Sequence, residues 1–244
     1  IYSMNVATQD KKMIMQGHSD GEVWGLALGD DSTVFTSGDD NKIFCWNVDQ
    51  RVAKSKATVS TTSRKAPKGG ASSLTDLPDS QCARALAFNP HHQHLAVGHN
   101  GGTMTVRAIS NLDQVAFTNT NSSEWIEAMC YSPDGSKLAV GSHDNNIYLF
   151  DTKTYKKVTK LTGHSSFLTS IDWAVDGSFI RTNCGAYELL FFDIPNKKRD
   201  PAGSSNTVET VWIDQTCKLG WSVQGIFPAG CDGSHINSVA MSRD

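Results

Sequence analysis

The chain has 244 residues, 39% hydrophobic and 19% charged, with 22 Lys and Arg against 25 Asp and Glu for a net charge of −3. At ~150 residues per domain this fits one large domain or a repeat array, and the charge balance excludes a polyelectrolyte and gives no basic field for nucleic acid. Apolar runs such as Tyr187 to Ile194 fall far short of the ~20 residues of a spanning helix, and the start has no leader-like basic or hydrophobic region, so no membrane partner is expected. The six cysteines (Cys45, Cys82, Cys130, Cys184, Cys217, Cys231) are scattered without a C-x-x-C pair, which reads as reduced thiols of a cytoplasmic protein.

In chain order, the first strand signal is Ile1 to Asn5, which aligns with Ile147 to Asp151. Each is followed by a Gly-His pair at the same distance, Gly17-His18 and Gly163-His164. Val23 to Leu28 and Lys42 to Trp46 read as strands of the next unit. Residues 53–80 then contain ten Ser or Thr and a net charge of +3, the composition of a solvated loop, with Lys54, Lys56, Arg64, Lys65 and Lys68 as its cations. Those cations are a candidate contact for an acidic partner, and the plainer reading is a connection with incidental lysines.

Three segments beyond it superpose: Ala85 to Pro90, Ala128 to Gly135 and Ser170 to Gly177. Their aromatic positions Phe88, Tyr131 and Trp173 are 43 and 42 residues apart, and the strand ends Arg107, Phe150 and Phe192 repeat those spacings. Finally, an aromatic, glycine-punctuated stretch with Leu219-Gly220-Trp221 and Gly225-Ile226-Phe227-Pro228 leads to Ile236 to Ser242, which reads as the first strand of a further unit. A tight turn is expected at Gly225.

Short apolar runs separated by Asn89-Pro90, Pro133-Asp134-Gly135 and Asp176-Gly177 predict antiparallel strands. One such unit leaves too much apolar surface in water, so units with a period of ~40 to 45 residues must stack, which predicts an all-β propeller of four-stranded antiparallel blades. The expected division is 1–16 for the end of a preceding blade, 17–52, 81–123, 124–160 and 161–211 for blades, 53–80 for the basic loop, and 212–244 for an ordered insertion and the first strand of a further blade. Open sheet edges at both ends would make this a fragment of a larger ring.

The marks of the first unit resemble the WD-repeat family. That resemblance implies a buried tetrad of opening His, strand hydroxyl, turn Asp and Trp, here His18, Thr36 or Ser37, Asp40 and Trp46, with Ser37 carried forward as the hydroxyl. Elsewhere the turn Asp recurs as Asp144 and the opening His as His164, while Gly101 and Ala186 replace the Asp and no later unit keeps the Trp. By this resemblance these residues are scaffold.

Leu138 to Leu149, Thr162 to Trp173 and the insertion from Leu219 to Asn237 are similar to the second propeller of the echinoderm microtubule-associated protein-like family. The resemblance implies a non-enzymatic cytoskeletal protein that binds tubulin or microtubules and other proteins, at the spindle, interphase array or cilium axoneme. A general interaction scaffold, or an axoneme component without direct tubulin binding, is the alternative.

Competing chemistry finds little support. His91 and His94 sit on a turn with no Cys or carboxylate placed to complete a metal shell, so no metal is expected. Gly98 to Gly102 lacks the phosphate-loop spacings and reads as a hairpin turn. With no G-x-S-x-G or H-E-x-x-H, neither catalytic residues nor a cofactor are expected. Most tryptophans read as core, whereas Trp125, after Asn121-Ser122-Ser123-Glu124, is a candidate rim anchor for a partner.

Overall fold

A computed structural model describes residues 2–13, 17–19, 21–30, 32–59, 82–120, 122–220 and 236–241. Strands β1 (Tyr2–Met4) and β2 (Lys11–Met13) pair antiparallel. Four sheets of four consecutive antiparallel strands follow. The first blade is β3 (Val23–Leu28), β4 (Thr33–Gly38), β5 (Lys42–Asn47) and β6 (Val52–Thr58). The second is β7 (Ala83–Asn89), β8 (His94–His99), β9 (Thr103–Ala108) and β10 (Asn111–Thr120). The third is β11 (Ile126–Tyr131), β12 (Lys137–Ser142), β13 (Ile147–Asp151) and β14 (Lys157–Leu161). The fourth is β15 (Leu168–Trp173), β16 (Phe179–Cys184), β17 (Leu189–Asp193) and β18 (Lys198–Asp200). These are the blades of a WD β-propeller in an open arc: inner strands pack in the order β3, β7, β11 and β15, and among the described residues no buried cluster joins the fourth blade to the first.

The core lies between blades. One buried cluster joins Ala85, Met104 and Val106 of the second blade to Tyr131, Leu138 and Phe150 of the third. Another joins Ala139, Ile147 and Leu149 of the third to Trp173, Ile180 and Phe192 of the fourth. Matching positions show what stacking does: Leu28 on the uncovered face of β3 is 65% exposed, whereas its counterpart Trp173 is fully buried. Close approach demands small residues at the seams. A Cβ on Gly98 would meet Ile126 Cγ2 at 2.4 Å, and one on Gly141 would meet Leu168 Cβ at 2.9 Å.

The turn between the second and third strands of every blade holds one residue in the left-handed region: Asn41, Gly102, Asn145 and Tyr187. Asn and Gly suit that conformation, and Tyr187 is the strained member.

The structure differs from the sequence expectation in three places. Residues 52–58 form β6, so Lys54 and Lys56 belong to a strand and not to a loop, because the first blade needs a fourth strand to pair with β5. A single helical turn, α1 (Gly203–Asn206), follows β18. Residues 236–241 carry no strand, and no described strand pairs with them. Arg64, Lys65, Lys68, Trp221, the Gly225 turn and Cys231 lie outside the described residues. No described helix is long and apolar enough to cross a membrane.

The chain returns after α1 to lie along the inner strand of the fourth blade. Val175 N–H donates to Val211 O and Ile213 N–H to Trp173 O, both at 2.9 Å. A buried charge fixes this return: Asp172 accepts from Arg181 Nε at 3.0 Å, Thr216 N at 2.9 Å, Thr216 Oγ1 at 2.6 Å and Cys217 N at 3.1 Å. The Arg181 guanidinium also lies 4.4 Å from the Trp212 ring and donates to Gln215 Oε1 at 2.6 Å. Removing one partner leaves the other charge buried alone, so Asp172→Ala should lower the unfolding free energy by about 3–5 kcal/mol, measured by urea denaturation.

Candidate protein-interaction surface

In the first blade β4 and β5 bring the tetrad together. His18 Nδ1 lies 2.8 Å from Asp40 Oδ1, His18 Nε2 lies 2.9 Å from Thr36 Oγ1, and Trp46 Nε1–H donates to Thr36 Oγ1 at 2.8 Å. Thr36, not Ser37, is the central hydroxyl. Successive residues of a strand point to opposite faces, so Ser37 turns away and donates to Ala83 O at 3.2 Å, tying the first blade to the second.

The later blades satisfy the same space with other chemistry. In the second, His99 Nε2 meets Thr105 Oγ1 at 3.0 Å, both buried. In the third, Asp144 accepts from Tyr148 OH at 2.5 Å and Asn146 N at 3.2 Å. In the fourth, His164 Nε2 meets Thr182 Oγ1 at 2.6 Å, and Glu188 supplies the carboxylate that Ala186 lacks. Spacing missed Glu188 because it stands two residues late. Ala186 and Glu188 both lie in the connection between β16 and β17, where no strand alternation marks in the sequence which side chain turns toward His164.

Ser165 N–H donates to Glu188 Oε2 at 2.9 Å, and such hydrogen bonds hold the Glu188 carboxyl down at about 2, despite some opposing desolvation. Burial pushes His164 below its usual value, partly offset by Glu188.

At this end of the blades an exposed ladder crosses all four sheets. The Arg84 guanidinium is held between Trp24, 4.0 Å from the ring centroid, and Trp125 at 4.6 Å. Arg84 Nη2 lies 3.3 Å from Asp39 Oδ1, Arg84 Nε donates to Asn100 Oδ1 at 2.8 Å, and Trp24 Nε1 donates to Asp39 Oδ1 at 3.1 Å. Beyond Trp125 the rings continue to His143 at 5.2 Å and from there to Phe167 at 4.7 Å, with His143 Nε2 bonded to Glu127. Trp24, Trp125 and Phe167 remain 45%, 37% and 39% exposed. The ladder arises because Trp24 and Arg84 are the second residues of inner strands, Trp125 and Phe167 immediately precede inner strands, and His143 follows the second strand of its blade, all at one end of neighbouring blades. Carboxylates predominate around it: Glu22, Asp39, Glu124, Glu127 and Glu188, against Arg84 and Lys42.

The opposite end carries charges of both signs. In the turns joining third to fourth strands, or at the start of the fourth strand, Lys153, Lys156 and Lys157 are exposed in the third blade and Lys197 and Lys198 in the fourth, and the turns of this end also carry Asp30, Asp49, Asp134, Asp151, Asp176 and Asp193. Asp151 and Asp193 in these turns are occupied locally, accepting from Thr154 and Asn196, which lowers their pKa values. Lys54 and Lys56 are exposed on β6. The expected basic contact thus divides between this strand and residues outside the described ones, and the lysine turns were not anticipated. His91 Nε2–H donates to Pro133 O at 3.2 Å, and His94 Nδ1 bonds Tyr155 OH at 3.0 Å. Both histidines serve a seam between the second and third blades.

The sequence model described as "Echinoderm microtubule-associated protein second beta-propeller" matches residues 23–244. The chain belongs to this family. It is 52% identical over 234 residues to "Ciliary WD repeat-containing protein ctxp80" of Euplotoides octocarinatus, covering 95% of this chain and 33% of that protein. It is 36% identical over 238 residues to "Echinoderm microtubule-associated protein-like 2" of Rattus norvegicus, covering 95% and 33%. Against "Echinoderm microtubule-associated protein-like 4" of Homo sapiens it is 34% identical over 236 residues, covering 94% and 22%. The chain therefore spans a third or less of the length of these relatives. Arg107, Phe150 and Phe192 stand where the first blade has Trp46, so among the described residues only the first blade completes the tetrad.

Thr36→Val leaves the His18 and Trp46 nitrogens without their hydroxyl and should cost about 1–3 kcal/mol, while Ser37→Ala costs less, as read from paired thermal denaturation curves. Glu188 has a depressed pKa, so its contribution to stability is complete above its ordinary value of 4.5 and is lost as pH falls toward 2. The Tm difference between the native protein and Glu188→Gln should accordingly shrink over that window.

Proposed function

We propose that this chain is part of a non-enzymatic, microtubule-associated protein whose propeller contacts tubulin within the cytoskeleton, at the interphase array, spindle or cilium axoneme. Family membership supports the microtubule association, and the names of the rat and human relatives carry the same description. The observation that supports direct contact is the lysine group Lys153, Lys156, Lys157, Lys197 and Lys198, beside which the turn carboxylates Asp151 and Asp193 are already bonded locally. Five exposed lysines in and beside two neighbouring turns suit an acidic polymer surface, and attraction of this kind weakens as salt rises.

A second reading is favoured by the aromatic ladder and by the ciliary relative. On that reading the propeller is a protein-interaction scaffold or a built-in axoneme component, and the partner docks on Trp24, Trp125 and Phe167, where aromatic anchors can be desolvated.

Co-sedimentation with stabilised microtubules over a salt series separates the two. Charge reversal of Lys153, Lys156 and Lys157 to Glu should weaken pelleting about threefold to a hundredfold, because exposed pairs contribute ~0.2–1 kcal/mol each. Trp125→Ala should leave pelleting unchanged. Pelleting that ignores the lysines and vanishes with Trp125→Ala would transfer the contact to the ladder.

A further inference from the structure

The fourth blade departs from the first at the carboxylate and at the residue closing β4 in one and β16 in the other. In the first, His18 Nδ1 and Asp40 Oδ1 meet at 2.8 Å, and Gly38 closes the strand without a side chain. In the fourth, Cys184 stands where Gly38 would, and the carboxylate arrives on the longer Glu188. His164 is anchored through Nε2 to Thr182, which turns Nδ1 toward these two new side chains. The His164 side chain is 1% exposed, and its Nδ1 has no hydrogen-bond partner, since Glu188 Oε2 lies 3.3 Å away but out of line. Cys184 Sγ lies 3.1 Å from the same Glu188 oxygen, and the three donor atoms all fall within 4.8 Å of one another.

We propose that His164 Nδ1, Cys184 Sγ and Glu188 bind one divalent cation of the zinc class, with water as the fourth ligand. Imidazole, thiolate and carboxylate are the donors such a borderline cation takes. Bond lengths of ~2.0–2.3 Å place tetrahedral donors about 3.3–3.8 Å apart, so the 3.1 and 3.3 Å separations from Glu188 Oε2 need shifts of a few tenths of an ångström, and Nδ1 and Sγ, within 4.8 Å of each other, would close by up to about 1 Å. The outer contacts are in place. With the cation on Nδ1, His164 Nε2 carries the proton and donates to Thr182 Oγ1, whose hydroxyl donates onward to Leu190 O at 3.5 Å. Ser165 N–H orients the Glu188 carboxylate from the other side. Glu188 is one-third exposed, which gives the cation a route from water past an otherwise buried pair. On binding, the Cys184 S–H bond breaks, its electron pair becomes the sulfur–metal bond and the proton leaves to solvent, with no change of oxidation state. Without a cation the Cys184 thiol donates to Glu188 Oε2 at 3.1 Å and His164 Nδ1 keeps only a poorly aligned contact with the same oxygen, whereas a cation would take all three donors.

The site is independent of any tubulin contact and is tested on the purified, untagged protein with Co2+ and Zn2+ as probes. Co2+ titration should give a sulfur-to-cobalt charge-transfer band saturating at one equivalent, and excess Zn2+ should erase it. Zn2+ should also raise the Tm above that in chelator by several degrees. Cys184→Ser should abolish the band and the Tm rise. Glu188→Gln should keep the thiolate band while weakening Co2+ binding at least tenfold, a readout that does not depend on the Cys184 variant folding. Absence of the band in the native protein, or its survival in folded Cys184→Ser, overturns the assignment.

Discussion

The whole molecule depends on one constraint: a four-stranded blade has two faces that must leave water, and a single blade cannot cover either by itself. Every buried apolar cluster accordingly draws on two consecutive blades. The difference between Leu28, mostly exposed, and Trp173, fully buried at the matching position, measures what a neighbour supplies. Burial of that size contributes ~1.5–3 kcal/mol per large side chain, so stability accumulates seam by seam along the arc. The seams also dictate where small residues stand, because Gly98 and Gly141 lie where the next blade's Ile126 and Leu168 press closest.

Stacking buries polar groups along with apolar ones, and the polar networks follow from that. Each blade answers in its own way: a full tetrad through Thr36, a His99–Thr105 pair, a Tyr148–Asp144 contact, and His164 with Thr182 and Glu188. An unpartnered group would cost more than a hydrogen bond returns, so the requirement for partners is stricter than the identity of the residues that provide them. The strongest case is Asp172, which accepts four hydrogen bonds and thereby fastens residues 211–217 beside β15.

Because antiparallel blades place alternate turns at opposite ends, the arc carries two chemically distinct surfaces. The aromatic ladder gathers at the end where the tetrads lie, and the exposed lysines of the third and fourth blades lie at the other among aspartates of the same turns.

The 43- and 42-residue spacings and the strand–turn alternation determined the propeller and its antiparallel four-stranded blades, since period and binary pattern are local properties written along the chain, while the family resemblance rested on the stretches Leu138 to Leu149, Thr162 to Trp173 and Leu219 to Asn237. Trp125 stood out by its polar, turn-like neighbours, and the structure leaves it 37% exposed beside Arg84. Tertiary structure alone decided between Thr36 and Ser37, because that choice is a matter of which strand face meets His18. It alone recruited Glu188, gave 52–58 to β6 and threaded Arg84 between two tryptophans from different blades. Those outcomes depend on register and on which blade lies next to which, and side chains far apart in sequence become partners only once the sheets have stacked.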